Sequence, residues 1–329
     1  MRITLIVLSV LFSVSLFGQP TGKAKKVLKL MGSRFEITAL ATNDTIAWQA
    51  VEAGIAEISR IEKLISSWEP NSQTSEVNRN AGIKAVVVDA ELFELIARAV
   101  KISKLTQGAF DISFASMDRI WKFDRMEQKL PDPTIVQEAA SKINWENIVL
   151  DRANLSVFLK EKGMKIGFGA IGKGYAANRA KAIMEKIPGV KGGVVNASGD
   201  LIAWGENPQN DGWKIQIADP KDKEASLGWL SMKEGAIVTS GDYEKYFTSE
   251  GKRYAHIVDP KTGYPTVGIK SVTIICPDAE LADALATSVF VLGAENGLYL
   301  VNHLNQVECL IITDQDEVIT SENLQLNYQ

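Results

Sequence analysis

The chain has 329 residues, 46% of them apolar and 23% charged, with 36 Lys and Arg against 40 Asp and Glu. That is enough for one large domain or two intimately packed lobes, and it excludes a disordered, collagen-like or coiled-coil chain. A formal charge of −4 leaves no basic segment to neutralise a nucleic-acid backbone, and two Cys with two His exclude four-thiolate zinc, three-imidazole zinc and cysteine-ligated iron–sulfur sites, so a metal is expected to be held by oxygen.

Residues 1–18 read as a signal peptide: Arg2 is a minimal positive end, residues 3–17 are apolar or hydroxyl-bearing, and Gly18 offers a small residue for cleavage. The run is shorter than the roughly 20 residues of a transmembrane helix; an uncleaved anchor is the alternative. Cleavage takes the formal charge from −4 to −5, because Arg2 leaves and no acid does. The mature chain, residues 19–329, is expected to be one soluble, exported domain. Export permits Cys276 and Cys309 to pair, but each sits in a strand-like apolar stretch, and buried free thiols are the preferred reading.

Residues 26–41 alternate as two short strands meeting near Met31-Gly32. Ala47, Val51, Ile55, Ile58, Ile61 and Ile65 then share one helical face over residues 44–65. A second helix spans 89–107, with Asp89 as N-cap and Gly108 as stop, and Asp132-Pro133 opens a third. Period two returns over 147–168, with turns at Asp151 to Asn154 and Lys162-Gly163. A helix follows over 173–187, ended by Pro188-Gly189. Residues 194–276 are strand-rich, helices return at 278–292 and 294–304, and strands at 308–313 and 316–320 close the chain. Without strict βαβ alternation this is an α+β fold, with antiparallel-rich sheets and flanking helices.

The segment Gly167 to Gly174 follows an expected strand, Met164 to Phe168, and precedes a helix. It matches a dinucleotide fingerprint, yet no acid follows at the required distance; it matches a P-loop until Gly174 replaces the Ser or Thr that binds Mg2+. The shared physics remains: glycines let backbone amides approach an anion, the helix start is partly positive, and Lys173 adds a full charge. A tight turn with a solvated lysine is the plain alternative. Farther on, Asp283 and Thr287 lie four apart on a largely apolar helix. A buried carboxylate there needs a partner or a cation, and an acid, a hydroxyl and carbonyls form a hard oxygen set suited to Mg2+.

Asn196 to Asp200, Thr239 to Tyr243 and His256 to Gly263 place hydroxyls, amides and acids at strand ends. Each alone reads as a turn. His256 is the leading base near neutral pH, whereas His303 reads as a packed helix residue. Asp111 follows the helix-stopping Gly108, and Trp68 leaves an aromatic at a helix end, suited to capping the core or stacking on a flat ring. The residues together point to a phosphorylated, aromatic ligand held by amides, a lysine and Mg2+.

In this order, Met31 to Ser33, Gly108 to Asp111, Gly169 to Tyr175, Asn196 to Asp200, Thr239 to Tyr243, His256 to Gly263 and Ala282 to Thr287 resemble the ApbE family of flavin transferases. That resemblance implies a flavin site between two packed lobes and an activity that moves FMN from FAD to a Thr or Ser of a target protein, releasing AMP. It implies that Met31, Trp68, Ala109, Phe110, Asp111, Lys173, His256 and Ile257 line the FAD site. It also implies that the Ala170 carbonyl, Asp283 and Thr287 hold Mg2+, or Mn2+ in its place. Gly167 stands in the cofactor site where many members carry Asp, Trp68 where many carry Tyr, and Ser198 replaces the first glycine of the pattern that ends at Asp200. Lys173 and His256 are the expected catalytic pair, with Asp259 or Asp242 orienting the imidazole. The acceptor is expected to be a membrane redox-complex subunit, and this protein is expected to be periplasmic or attached to the periplasmic face of the inner membrane, near the membrane surface. A Mg-dependent FAD pyrophosphatase using the same site, and an exported flavin-binding protein without turnover, are the alternatives.

Overall fold

The computed structural model describes residues 22–118, 120, 121, 123, 130–207, 212–218, 226–241, 246–249 and 252–326. The expected signal peptide, together with Asp242 and Tyr243, lies outside the described residues. The first strands are β1 (Gly22–Leu30), β2 (Ser33–Ala41), β3 (Val86–Val87), β4 (Ile148–Asp151) and β5 (Ser156–Leu159). Next come β6 (Val190–Ala197), β7 (Asp200–Gly205), β8 (Trp213–Ala218), β9 (Ser226–Met232) and β10 (Gly235–Gly241). The last are β11 (Tyr246–Ser249), β12 (Lys252–Ala255), β13 (Ile269–Cys276), β14 (Glu308–Thr313) and β15 (Val318–Thr320). The helices are α1 (Asp44–Ile65), α2 (Gln73–Arg79), α3 (Ala90–Leu105), α4 (Pro133–Ala140), α5 (Gly172–Met184) and α6 (Ala279–Asn302).

An eight-stranded antiparallel sheet runs in the order β1-β2-β6-β7-β10-β13-β14-β15, with helices α1, α5 and α6 packed on it. This is the α+β architecture expected of the chain. The β1–β2 hairpin turns at Met31 (φ 49°) and Gly32 (φ 73°), the left-handed pair that a two-residue turn needs to match strand twist. Helix α1 starts where Asn43 accepts a hydrogen bond from Ile46 N at 3.0 Å and buries Ala47, Val51, Ile58, Ile61 and Ile65, as its spacing predicts. Around it lie Phe35, Ile37, Ala176, Ala180, Leu285 and Val289 in one continuous core.

Several boundaries differ from the sequence reading. Met164 to Phe168 joins no sheet: Lys165 N donates to Ser116 Oγ (2.9 Å), Ile166 N to Asn78 Oδ1 (2.8 Å) and Gly167 N to Ile112 O (2.9 Å). Partners from other segments replace a ladder there. Helix α2 was too short to show periodicity; Ser72 caps it by accepting from Ser75 N at 3.0 Å. Asp89 precedes α3 without a side-chain cap bond. The break expected between helices at 278–292 and 294–304 is present: Gly293 is non-helical (φ 81°) and divides α6 into two helical segments across a kink. Cys276 and Cys309 are free and buried on neighbouring strands, and burial pushes the Cys276 thiol up to about 11.

A small three-stranded sheet (β3-β5-β4) and the hairpins β8–β9 and β11–β12 flank the main sheet. A separate apolar cluster gathers Met117, Trp121, Val136, Phe247 and Val258 beside Phe123, Tyr254 and Tyr264. Arg98 on α3 ties the helices together: its Nε and Nη2 donate to Glu280 on α6 (2.7 and 3.0 Å), and its guanidinium lies over the Tyr175 ring of α5.

Candidate active site

The start of α5 is pressed against the start of α6. A Cβ at Gly174 would fall 2.1 Å from Ala279 O and 2.9 Å from Asp283 Cβ, so only glycine fits there. The contact delivers the Asp283 carboxylate to the helix start, where Oδ2 accepts from Gly174 N at 3.0 Å. Burial raises the Asp283 pKa, opposed by the Lys173 charge and by the backbone N–H groups of Gly174 and Lys173. Several of the amides expected to approach a phosphate are thus used by the protein itself. The Gly174 amide is engaged by the protein's own carboxylate, and Ile171 N and Gly172 N donate to Phe168 O (3.2 and 2.7 Å). What the helix start offers an anion is the side chain of Lys173.

That side chain is already held. Lys173 Nζ lies 2.5 Å from Asp200 Oδ2, and Asp200 is 1% exposed. Asp200 opens β7 just after a two-residue turn in which Ser198 (φ 59°) and Gly199 (φ 104°) are both left-handed, with Ala197 paired to Asp200. Ser198 thus adopts a backbone that favours glycine, the residue the family pattern carries there. Burial, then repulsion from Asp283, pushes the Asp200 carboxyl up to about 7 against the pull of Lys173. Sequence reasoning placed Asp200 in a motif and gave it no role. The available signal was an acid opening an otherwise apolar strand.

Thr287 is half-buried one turn beyond Asp283 on α6, and Ala170 is half-buried two residues before α5. Among the described residues no three His, Cys, Asp or Glu side chains gather to hold a metal. The donor set near the α5–α6 contact is therefore one carboxylate, a hydroxyl and carbonyl oxygens, which fits a hard divalent ion such as Mg2+. The raised pKa of Asp283 points the same way, since a cation relieves a carboxylate that burial disfavours.

The other proposed ligand contacts come from loops. Met31, at the hairpin tip, puts its Cε 3.6 Å from where a Gly172 Cβ would stand. Ser66 Oγ accepts from Trp68 N (3.3 Å) and Glu69 N (3.1 Å), and this turn leaves Trp68 76% exposed. Gly167 adjoins the same turn, a Cβ there lying 3.8 Å from Ser67 Oγ and 3.1 Å from Ala115 Cβ.

Ala109, Phe110 and Ile257 are buried, and Asp111 is a bracket for its own segment. Its Oδ1 accepts from Ser113 N (2.8 Å) and Ser113 Oγ (2.6 Å), and its Oδ2 from Trp145 N (2.9 Å). Lys261 reaches this segment, its Cε 4.0 Å from a Cβ built at Gly108. His256 is half-buried with its ring edge toward Phe123, centroids 6.3 Å apart. Asp259, expected to orient the imidazole, turns one carboxylate oxygen to its own loop, accepting from Lys261 N at 2.9 Å. The other candidate for that role, Asp242, is outside the described residues. Lys173, Asp200 and Asp283 thus form one polar group, while His256 belongs to an aromatic group across the short helical turn Ile112–Met117. Gly167 N bonds Ile112 O on one side of that turn, and Met117 meets the Gly263 loop on the other.

The model of the ApbE family matches residues 31–311. A protein named FAD:protein FMN transferase from Klebsiella pneumoniae is 29% identical over 301 residues, covering 91% of this chain and 92% of that protein. One of the same name from Treponema pallidum is 30% identical over 293 residues, covering 84% and 80%. The ApbE crystal structure from Thermotoga maritima is similar at a TM-score of 0.83 with 31% identity, covering 91% of this chain and 97% of that one.

Proposed function

This chain belongs to the ApbE family, and from that premise we propose that it is an FAD:protein FMN transferase, which moves FMN from FAD to a Thr or Ser hydroxyl of a target protein and releases AMP. The observation that carries the chemistry is the half-buried Lys173 grouped with the buried Asp200 and Asp283 at the start of α5, where the lysine and a bound divalent cation would face the pyrophosphate of FAD. The acceptor oxygen attacks the phosphorus of the FMN half, a new P–O bond to the protein forms, the P–O bond to AMP breaks, and AMP carries away that electron pair.

Asp283, Thr287 and the Ala170 carbonyl are the residues that would hold Mg2+ or Mn2+, which when bound would neutralise charge on the pyrophosphate oxygens. Lys173 adds a second positive group aimed at the same oxygens. His256 takes the hydroxyl proton, and the rings around it exclude water from that side of the site. Met31 and Trp68 bracket the ligand from the hairpin tip and the α1 exit, with the ring of Trp68, 76% exposed, placed to stack on a flat ring. The apolar N-terminal run supports export, with the acceptor a periplasmic subunit of a membrane redox complex.

Mass spectrometry of a candidate periplasmic acceptor, after incubation with this protein, FAD and Mg2+, tests the reading. FMN attached to a Thr or Ser is the expected result. Rapid AMP release with an unmodified acceptor would replace it with FAD hydrolysis.

A further inference from the structure

Asp200 is a carboxylate with 1% exposure, and its Oδ2 is 2.5 Å from Lys173 Nζ. Asp283, whose Oδ2 accepts from the Gly174 amide, is also stabilised by the Lys173 charge, so one lysine serves two buried acids contributed by different elements, β7 and α6. With both acids ionised the group carries a net charge of −1. Without Asp200 it would be neutral, and the ammonium would have Asp283 as its counter-charge. We propose that Asp200 is a positioning residue that neutralises and aims Lys173, so that Asp283 keeps its negative charge for a divalent cation.

The geometry favours this over a plain structural role. An acid kept only to stabilise the fold gains little from burial beside a second acid, because desolvation of each charge costs more than one lysine returns. Here the two acids share the lysine at the mouth of a helix, and the β6–β7 turn that presents Asp200 takes a left-handed serine to do so. The pull of Lys173 on both Asp200 and Asp283 is consistent with a shared counter-charge. The inference rests on the transferase reading only for the identity of the cation.

The test is titration of metal-free protein with Mg2+ alone by calorimetry at pH 8, for wild type, Asp200→Asn, Lys173→Met and the double variant. At these separations a unit charge changes cation affinity about tenfold or more. Asp200→Asn is expected to weaken Mg2+ binding by about tenfold, Lys173→Met alone to leave it no weaker, and the double variant to return to within about threefold of wild type. Rescue by deleting the lysine is an outcome that a packing defect does not produce. A double variant as weak as Asp200→Asn, or an Asp200→Asn protein that binds as wild type, overturns the proposal. If Asp200→Asn does not fold, Asp200→Glu keeps the charge and is expected to bind within about threefold of wild type; a tenfold loss there overturns it equally. Wild type that shows this pattern but transfers no FMN would sink the transferase reading and leave this one standing.

Discussion

Around Lys173 the site is built from charges held by regular structure: the first turn of α5, the first turns of α6 and the first residue of β7. Around His256 it is built from rings of the β11–β12 hairpin and of the segments beside it, with Phe247 stacked between Trp121 (5.9 Å) and Tyr254 (5.0 Å) and His256 paired edge-to-face with Phe123. The difference follows from what each group tolerates. Buried charges require partners at fixed distances, which packed helices and a central sheet can hold, whereas ring contacts depend weakly on orientation and can be shared between a small hairpin and the loops beside it. A pyrophosphate suits the first region and a flat ring or a protein hydroxyl the second.

Removing Asp283 should break the polar region most severely. Asp283→Ala takes away both the cation's carboxylate and the acceptor for the Gly174 amide, so FMN transfer should fall by about 10³-fold or more and Mg2+ titration heat should vanish. Retained activity with an unchanged metal titration would remove Asp283 from the site. On the aromatic side, His256→Ala should lower kcat by about 10²- to 10⁴-fold at neutral pH, the range for a lost general base. A variant with near wild-type kcat would show that the proton leaves by another route.

A weaker effect is the pH dependence of folding in the metal-free protein. Asp200 titrates at about 7 when folded and in the ordinary carboxylate range when unfolded. Between those values the folded state holds a proton that the unfolded state has lost, so stability should fall as pH rises from about 5 and level off above about 7. Glu91, held down to about 2 chiefly by Arg60, stays ionised throughout this window. Thermal melts should show the decline in wild type and a shallower one in Asp200→Asn; equal slopes would count against Asp200 as its source. The smallest expected change is at Trp68, which at 76% exposure packs little. Trp68→Ala should leave Tm within about a degree of wild type and raise the KM for FAD by about tenfold, the worth of one stacked ring. A lowered Tm with unchanged KM would make Trp68 a core cap instead.

What could be read from the chain alone was local. The Met31-Gly32 turn, the buried face of α1 and the Asp283–Thr287 pair depend on residues within a few positions of one another, where periodicity and turn chemistry act directly. The polar group was hidden because it is assembled across the fold. The Gly174 amide meets an acid 109 residues away, and Asp200 reaches Lys173 only because α5 packs over β6 and β7. Met164 to Phe168 resembled a strand because its partners are side chains and loop carbonyls of other segments, which alternation cannot distinguish from a ladder.

The contact between Gly174 and Ala279 also sets a rule for anyone varying this protein. A methyl at position 174 would have to displace Ala279 O from 2.1 Å, and the segment it pushes carries Asp283 with it. Mutational libraries aimed at new acceptors should therefore hold positions 174 and 279 constant and place their diversity in the turns around Trp68 and His256. The helix seam then acts as a fixed frame, and selectivity can be rewritten around it without recalibrating the charges at its centre.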